Sequence, residues 1–469
     1  MDIELLGLGQ TIAGLLIDGD EETPYTGATL KLEPDKGVVI EIPYFERDDK
    51  NQFSHVNDWF MTRTPPKNMY LKTLDGEIGL FGNRWRGHAT KGHASLGKVM
   101  PGETLLGPCE APLDEPLVLT EVCSQIDGIQ AWTRLKSVSH VSKTDSSNLI
   151  RAVDVNIAVA ESESWTQGDA TLRFQTDWKT KYPQENNEGG LYIDDGTVLV
   201  SSFPEERPFA DHLAEHRKVA DFLSLLSGGP IHFRQHKVSA KSIVFRTIGG
   251  SIYHESPRVP LISAATVREF DAPRPSTTDL NWVLSDFEQV GVTGLEQWAA
   301  GYEKWKRFIL PAAGVFGRRG LYIEDVIVSL SFSIEAAGQI IGQRPDEEDT
   351  YWRNRPTTST YVYRCLEALG VDWGTTAPTL QALARAAANT YNDIKHADRG
   401  DFPDPEVQYV ISVVLRYVAR LLALHIIDDT GELLSSYREE RALLRLHNIL
   451  EQSEIKFDEA GKPLPGLGS

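Results

Sequence analysis

The chain has 469 residues, of which 41% are hydrophobic and 24% charged, and its formal net charge is −20 at pH 7. This composition is typical of a globular protein of two or three domains and argues against extensive disorder. The negative charge argues against a protein that coats nucleic acid non-specifically, although an enzyme can still meet RNA through a local basic patch. Three unpatterned cysteines fit a reducing, cytoplasmic compartment. The sequence also predicts no signal peptide, membrane span, disulfide framework or zinc site.

The first half of the sequence predicts short strands separated by turns. Apolar runs at 37–45, 68–83 and 190–203 are punctuated by Gly, Asp and Asn, and the last two contain an Asp-Gly pair typical of a hairpin. Trp132 and Trp165 lie in further strand-like segments. Many short strands without long helices between them favour an antiparallel β-sandwich or barrel.

One helix interrupts this pattern at 208–230, with Pro near its start and Gly-Gly-Pro as its stop signal. The segment 271–279, rich in Pro, Ser and Thr, marks the predicted domain boundary. We therefore predict an α+β multidomain protein with a β-rich domain at 1–270, a helical domain at 280–456 and a disordered tail at 457–469.

The second half switches to a helical period. The 405–427 segment begins with an Asp-Pro-Glu start signal and is so densely apolar that it predicts a helix at the centre of a bundle or in a dimer interface. The predicted helices span 281–310, 320–343, 357–370, 377–399, 405–427 and 431–452.

The segment 380–400 carries a polar stripe. At about 100° per residue, four polar side chains lie opposite an apolar face, each within about 40° of Asn392; they are Arg385, Asn392, His396 and Arg399. Such residues are often only solvated, and cations near a helix C-terminus also complement its dipole. Periodicity alone therefore leaves a solvated surface and a functional site both open.

The string YNDIKHADRG, inside a predicted helical bundle, resembles the signature of the HEPN superfamily, in which an arginine and a polar residue shortly precede a histidine. Asn392 and His396 match the polar residue and the histidine, whereas Tyr391 stands at the arginine position. The string HRKVADFLSLLSGGPI resembles the end of the N-terminal domain of ApeA-type abortive-infection proteins, which precedes such a bundle.

This resemblance implies a bacterial anti-phage effector whose helical domain is a metal-independent ribonuclease without a cofactor. The RNA 2′-hydroxyl would attack the adjacent phosphate and leave a 2′,3′-cyclic phosphate and a 5′-hydroxyl. His396 would then move protons, and Asn392 would orient the histidine or bind a phosphate oxygen. The implied partners are RNA, with tRNA as a candidate, a phage-derived trigger or protein partner, and a second copy of the chain bound through the helical domain.

The reaction also needs a cation to stabilise charge on the phosphoryl oxygens, and Tyr391 cannot supply it. Arg399 and Lys395 are candidate replacements, and Arg385 lies two turns before Asn392. We favour Arg399 because it shares the stripe with the histidine. Two alternatives stay open: an inactive HEPN module that binds RNA or a protein, and a carbohydrate- or peptide-binding sandwich that the bundle dimerises.

Two further groups are weighed as supporting residues. Glu335 lies in a small, apolar surrounding and is expected to have a cationic partner, with a structural ion pair favoured over a role beside His396. Lys304, Lys306 and Arg307 form a basic cluster interleaved with an aromatic residue. This cluster could contact RNA phosphates, although such clusters are more often solvated surface.

Overall fold

The fold is that of a computed structural model, which describes residues 10–21, 23–33, 36–45, 54–91, 94–181, 192–276, 283–396, 398, 402–428, 430–439 and 442–464. Its first part is a large sheet and its second part is helical, as predicted.

The strands are β1 (Thr11–Ile17), β2 (Thr26–Glu33), β3 (Gly37–Phe45), β4 (Met69–Lys72), β5 (Glu77–Phe81), β6 (Arg84–Lys91), β7 (Ala94–Met100), β8 (Glu103–Leu106), β9 (Val118–Ile126), β10 (Val138–Thr144), β11 (Ile150–Ile157), β12 (Trp165–Gln167), β13 (Ala170–Lys181), β14 (Tyr192–Pro208), β15 (Phe233–Ser239), β16 (Val244–Arg246), β17 (Ile252–Glu255) and β18 (Val259–Ser263). Within the described residues, fourteen strands form one antiparallel sheet in the order β12-β13-β14-β9-β15-β18-β8-β5-β4-β1-β2-β3-β7-β6. The pairs β10–β11 and β16–β17 form two small separate sheets.

The helices are α1 (Ser54–Met61), α2 (Ile129–Thr133), α3 (Phe209–Ser227), α4 (Phe287–Phe316), α5 (Ile323–Ile341), α6 (Thr358–Leu369), α7 (Leu380–Lys395), α8 (Pro405–Ile427), α9 (Glu432–Ser435) and α10 (Leu444–Gln452). Short 3-10 turns lie at Val267–Glu269 and Glu347–Thr350. The single helix predicted at 431–452 is instead the separate helices α9 and α10.

All three runs contain strands, but only one of the two predicted hairpins is present. The run at 37–45 coincides with β3, and the hairpin at 68–83 is β4–β5, in which Leu71 pairs with Ile78. The hairpin predicted at 190–203 is wrong, because β14 continues straight through its Asp-Gly pair and lies along β13 there.

Of the two tryptophans predicted to lie on strands, one does and one does not. Trp165 begins β12, as expected, but Trp132 lies on the short helix α2. Gly128, with a left-handed φ of 79°, allows the chain to turn into that helix. The indole N–H of Trp132 then donates to the Ser285 carbonyl at 2.8 Å, which ties α2 to the start of the helical region.

The largest hydrophobic core runs without a break from the sheet into the helices. Trp132 contacts the rings of Phe174 on β13 and Phe222 on α3, and Phe222 in turn contacts Trp298 on α4 at 4.9 Å. The indole N–H of Trp298 donates to the Lys218 carbonyl of α3 at 2.8 Å. The helix α3 therefore joins the two parts of the chain through a shared apolar core.

Helix α8 lies at the centre of the bundle, which confirms one of the two positions predicted for it. It is long and apolar enough to cross a membrane by length and composition, but 83% of its apolar window is buried inside the fold. Its apolar character is therefore that of a core helix.

The disordered tail predicted at 457–469 is not what the structure has for residues 457–464. Phe457 is only 3% exposed, its N–H donates to the Thr376 carbonyl at 2.9 Å, and it forms a β-bridge with Pro463. One buried aromatic side chain and a tight turn thus hold this segment against the bundle, whereas residues 465–469 lie outside the described ones.

Candidate functional site

Helix α7 presents its motif at its C-terminal end. Its first turn is capped by the Thr379 side chain, which accepts a hydrogen bond from the Ala382 N–H at 3.1 Å. A face of small side chains is buried, so the neighbouring helices can approach closely. Asn392 is half-buried near the end of the helix and His396 is exposed just after it.

The helix ends earlier than its sequence predicts. It was expected to cover 377–399 but stops at Lys395, where His396 takes an extended conformation with φ −114° and ψ 101°. The next helix, α8, begins at Pro405, and its start is capped by Asp404. The helix therefore ends before His396, and Arg399, which the sequence places on the same stripe, lies outside the described residues.

Tyr391, which stands at the position of the HEPN arginine, holds the side chain of Lys395. Its side chain is 5% exposed. The ammonium of Lys395, one turn later, donates to the Tyr391 hydroxyl at 3.1 Å and lies 5.1 Å from the ring centroid. The hydrogen bond to Tyr391 raises the pKa of Lys395, and the negative charge of Glu335 adds to this effect. A cation is thus held on the residue that directly precedes His396 in the chain.

Glu335 brings two more helices to the same place. It is half-buried on α5 and accepts a hydrogen bond from the hydroxyl of Thr358 at the start of α6. Its negative charge contributes to the raised pKa of Lys395, while among the described residues its direct hydrogen-bond partner is the neutral Thr358. The pairing of Tyr391 with Lys395 follows from their spacing of four residues on a helix. Nothing in the sequence indicates the contact with Thr358.

Arg385, considered in the sequence as a phosphate-binding cation, makes structural contacts instead. Its guanidinium donates to the backbone carbonyls of Glu459, at 2.6 Å, and of Asp349. The neighbouring Asn389 donates to the Ala460 carbonyl at 3.1 Å. These contacts fasten the C-terminal segment to α7, so the structure assigns Arg385 to holding the bundle together.

The basic cluster on α4 is exposed. Lys306 pairs with Glu303 at 3.2 Å, and the Lys304 ammonium lies 6.0 Å from the centroid of the Trp305 ring. Arg307 is also exposed. These side chains are accessible, but Lys306 is partly neutralised by its own helix neighbour.

The residues gathered at the end of α7 are suited to proton transfer and phosphate binding. An exposed imidazole can take or give a proton near neutral pH, and an ammonium and an amide can donate to phosphate oxygens. Among the described residues, no group of three or more His, Cys, Asp or Glu side chains is placed to hold a metal ion.

Comparison with known families finds a similarity in the first half of the chain. The family model described as ApeA N-terminal domain 1 matches residues 16–244, from β1 to the start of β16. Neither the curated proteins nor the solved structures include a match to the chain. The family match confirms the resemblance seen in the α3 string, and it ends before the helical region begins.

Proposed function

From the premise that residues 16–244 form an ApeA-type N-terminal domain of a defence protein, we propose that the chain is an anti-phage effector whose helical region cleaves RNA. The observation that supports this most is that His396 is exposed just after α7 and directly follows Lys395, whose ammonium donates to the Tyr391 hydroxyl. The likeness of this helix to the HEPN motif supplies the reaction class.

In the proposed reaction the 2′-oxygen of RNA attacks the adjacent phosphorus and the bond to the 5′-oxygen breaks. His396 accepts the proton of the 2′-hydroxyl, and a second proton donor, which can be the imidazole of a paired protomer, protonates the leaving 5′-oxygen. Lys395 and the Asn392 amide donate hydrogen bonds to the phosphoryl oxygens as negative charge develops. The products are a 2′,3′-cyclic phosphate and a 5′-hydroxyl.

Lys395 takes the role of the missing arginine in this proposal. Its ammonium is exposed and is held by Tyr391. Because no carboxylate among the described residues of α7 forms an ion pair with it, the ammonium can bind a phosphate directly. Arg399, which the sequence analysis favours, is the second candidate for the same role. Variants of the two residues separate their contributions.

The test uses the full chain, purified and incubated with a tRNA pool and a synthetic single-stranded RNA, in the presence and absence of EDTA. His396→Ala should abolish cleavage, and Lys395→Gln should lower its rate by about 10²- to 10³-fold. The matched control is Lys67→Gln, which removes the same charge from an exposed position between α1 and β4 and should leave the rate unchanged. The cleaved ends should carry cyclic phosphate.

Cleavage that survives His396→Ala would refute the proposed mechanism. If the wild-type chain binds RNA but cuts none, even in lysate of phage-infected cells, the helical region is a binding module. Tyr391 at the arginine position is the observation that favours this second function. A plaque assay with the same variants then shows whether defence depends on the motif at all.

A further inference from the structure

A cavity of about 520 Å³ lies where the loop after α3 meets the helical region. Its walls come from that loop (227–231), the end of α4, the middle of α8 and the side of α10. Fourteen described residues line it, and four of them are arginines while none is a carboxylate. In a chain of net charge −20, this concentration of positive charge is unusual.

Two of the arginines are available to a ligand. Arg416 on α8 is half-buried with its guanidinium 5.7 Å from the Phe316 ring centroid, and Arg319 is exposed at the mouth. Within the described part of the chain, neither forms an ion pair with a carboxylate. Burial lowers the pKa of Arg416, because its charge is removed from water without a compensating anion.

Arg420 forms the floor of the cavity. One of its N–H groups donates to the Leu226 carbonyl at the end of α3, at 2.7 Å, so this side chain also joins α3 to α8. Burial lowers its pKa to about 10, and the nearby positive charge of Arg445 contributes. The guanidinium packs against Gly228, where a Cβ would lie 2.9 Å from its Nε. The cavity is therefore a built site in which positive charges are held close together.

We propose that this cavity binds a small molecule of nucleotide size that carries two or more phosphate groups. Guanidinium groups bind phosphate oxygens in pairs, and partial burial strengthens such contacts. The volume falls within the range of small-molecule sites, and Ile231, Val413 and Ile449 supply apolar wall for an uncharged part of the ligand. A bound ligand would touch the N-terminal domain and the helical region at once, which makes it a regulator of their packing.

The experiment is isothermal titration calorimetry of the full chain at low salt with pyrophosphate, ATP, inorganic phosphate and adenosine. ATP and pyrophosphate should bind, and adenosine should not. Arg416→Gln should weaken ATP binding by about tenfold or more. The matched control is Arg318→Gln, which removes the same charge beside Arg319 but outside the cavity lining, and should change binding less than about twofold. Circular dichroism confirms that both variants are folded.

Three results would overturn the proposal: no heat with ATP or pyrophosphate at about 1 mM, equal binding by wild type and Arg416→Gln, or equal weakening by Arg318→Gln. A titration with a single-stranded RNA oligonucleotide tests whether the cavity binds RNA instead of a small molecule. If RNA binding depends on Arg416 while ATP does not bind, the cavity is part of a nucleic-acid surface. Neither measurement uses RNA cleavage, so the result stands apart from the proposed ribonuclease activity.

Discussion

Lowering the pH from 7 to 5 should destabilise the N-terminal domain, because three of its histidines are buried in the neutral form. His212 and His216 on α3 face the sheet, and His236 lies on β15. Ser124 bonds the Nδ1 atoms of His216 and His236 at 2.7 and 2.8 Å, and Ser201 bonds Nδ1 of His212 at 2.8 Å. These hydroxyl partners carry no negative charge, and at His212 burial outweighs the hydrogen bonds with Ser201 and the Leu119 carbonyl that favour the imidazolium.

The size of the effect follows from the pKa values. Burial lowers the pKa of His212 to about 4 and that of His236 to about 3, against an ordinary value of 6.5. The unfolded chain therefore takes up protons first, and stability that is present above pH 6.5 is lost as the pH falls. Between pH 7 and 5 each of these two histidines should cost about 2 kcal/mol. Burial lowers the pKa of His216 as well.

One carboxyl group works in the opposite direction. Burial raises the pKa of Asp221 to about 6, so protonating it between pH 7 and 5 should return about 1 kcal/mol. A net loss of about 3 kcal/mol is a large part of the stability of a typical domain.

The assay is urea unfolding at both pH values, followed by tryptophan fluorescence. His212→Gln should be less stable than wild type at pH 7, but its loss between pH 7 and 5 should be smaller by about 2 kcal/mol. His140→Gln is the matched control, because His140 is exposed on β10, and it should behave as wild type. A wild-type loss below about 1 kcal/mol, or an unchanged pH dependence in His212→Gln, would refute the reasoning.

Three other substitutions test the packing between helices. Asp221→Asn should stabilise the protein by about 2 kcal/mol at pH 8 and by nothing at pH 4, because the raised pKa of Asp221 disfavours its charged form; urea midpoints at the two pH values measure this. Gly228→Ala should lower stability by about 1–3 kcal/mol in thermal unfolding, since φ is +71° and its Cβ would crowd Arg420. Glu347→Gln should cost about 3 kcal/mol in urea, because Glu347 is fully buried in an ion pair with Arg364; an equal stability would contradict this.

Local features of the chain were predictable because neighbouring residues determine them. The bounds of β3 and the β4–β5 hairpin follow from alternation and turn residues, and α3 begins and ends where Pro and Gly-Gly direct it. The same reasoning failed at 190–203, where pairing with β13 overrides a good turn signal.

The candidate site was predictable only in part. The sequence indicated Asn392 and His396 and the departure at Tyr391, because these residues lie within one short string. It placed Arg399 on the same stripe by extending the helix to 399, whereas α7 ends at Lys395 and Arg399 lies outside the described residues. The contact of Lys395 with Tyr391 could be predicted from their spacing of four residues. The position of Glu335 and Thr358 near Lys395 could not.

The sequence by itself determined the division into a β-rich and a helical part, the ApeA-like string and the polar end of α7. Only the tertiary structure decided how the strands join into one sheet and how α3 merges two parts into one core. It also decided that Arg319, Arg416 and Arg445 share a cavity, although two arginines in the apolar helix α8 were a visible signal. Periodicity depends on adjacent residues, whereas a cavity depends on the packing of segments far apart in the chain.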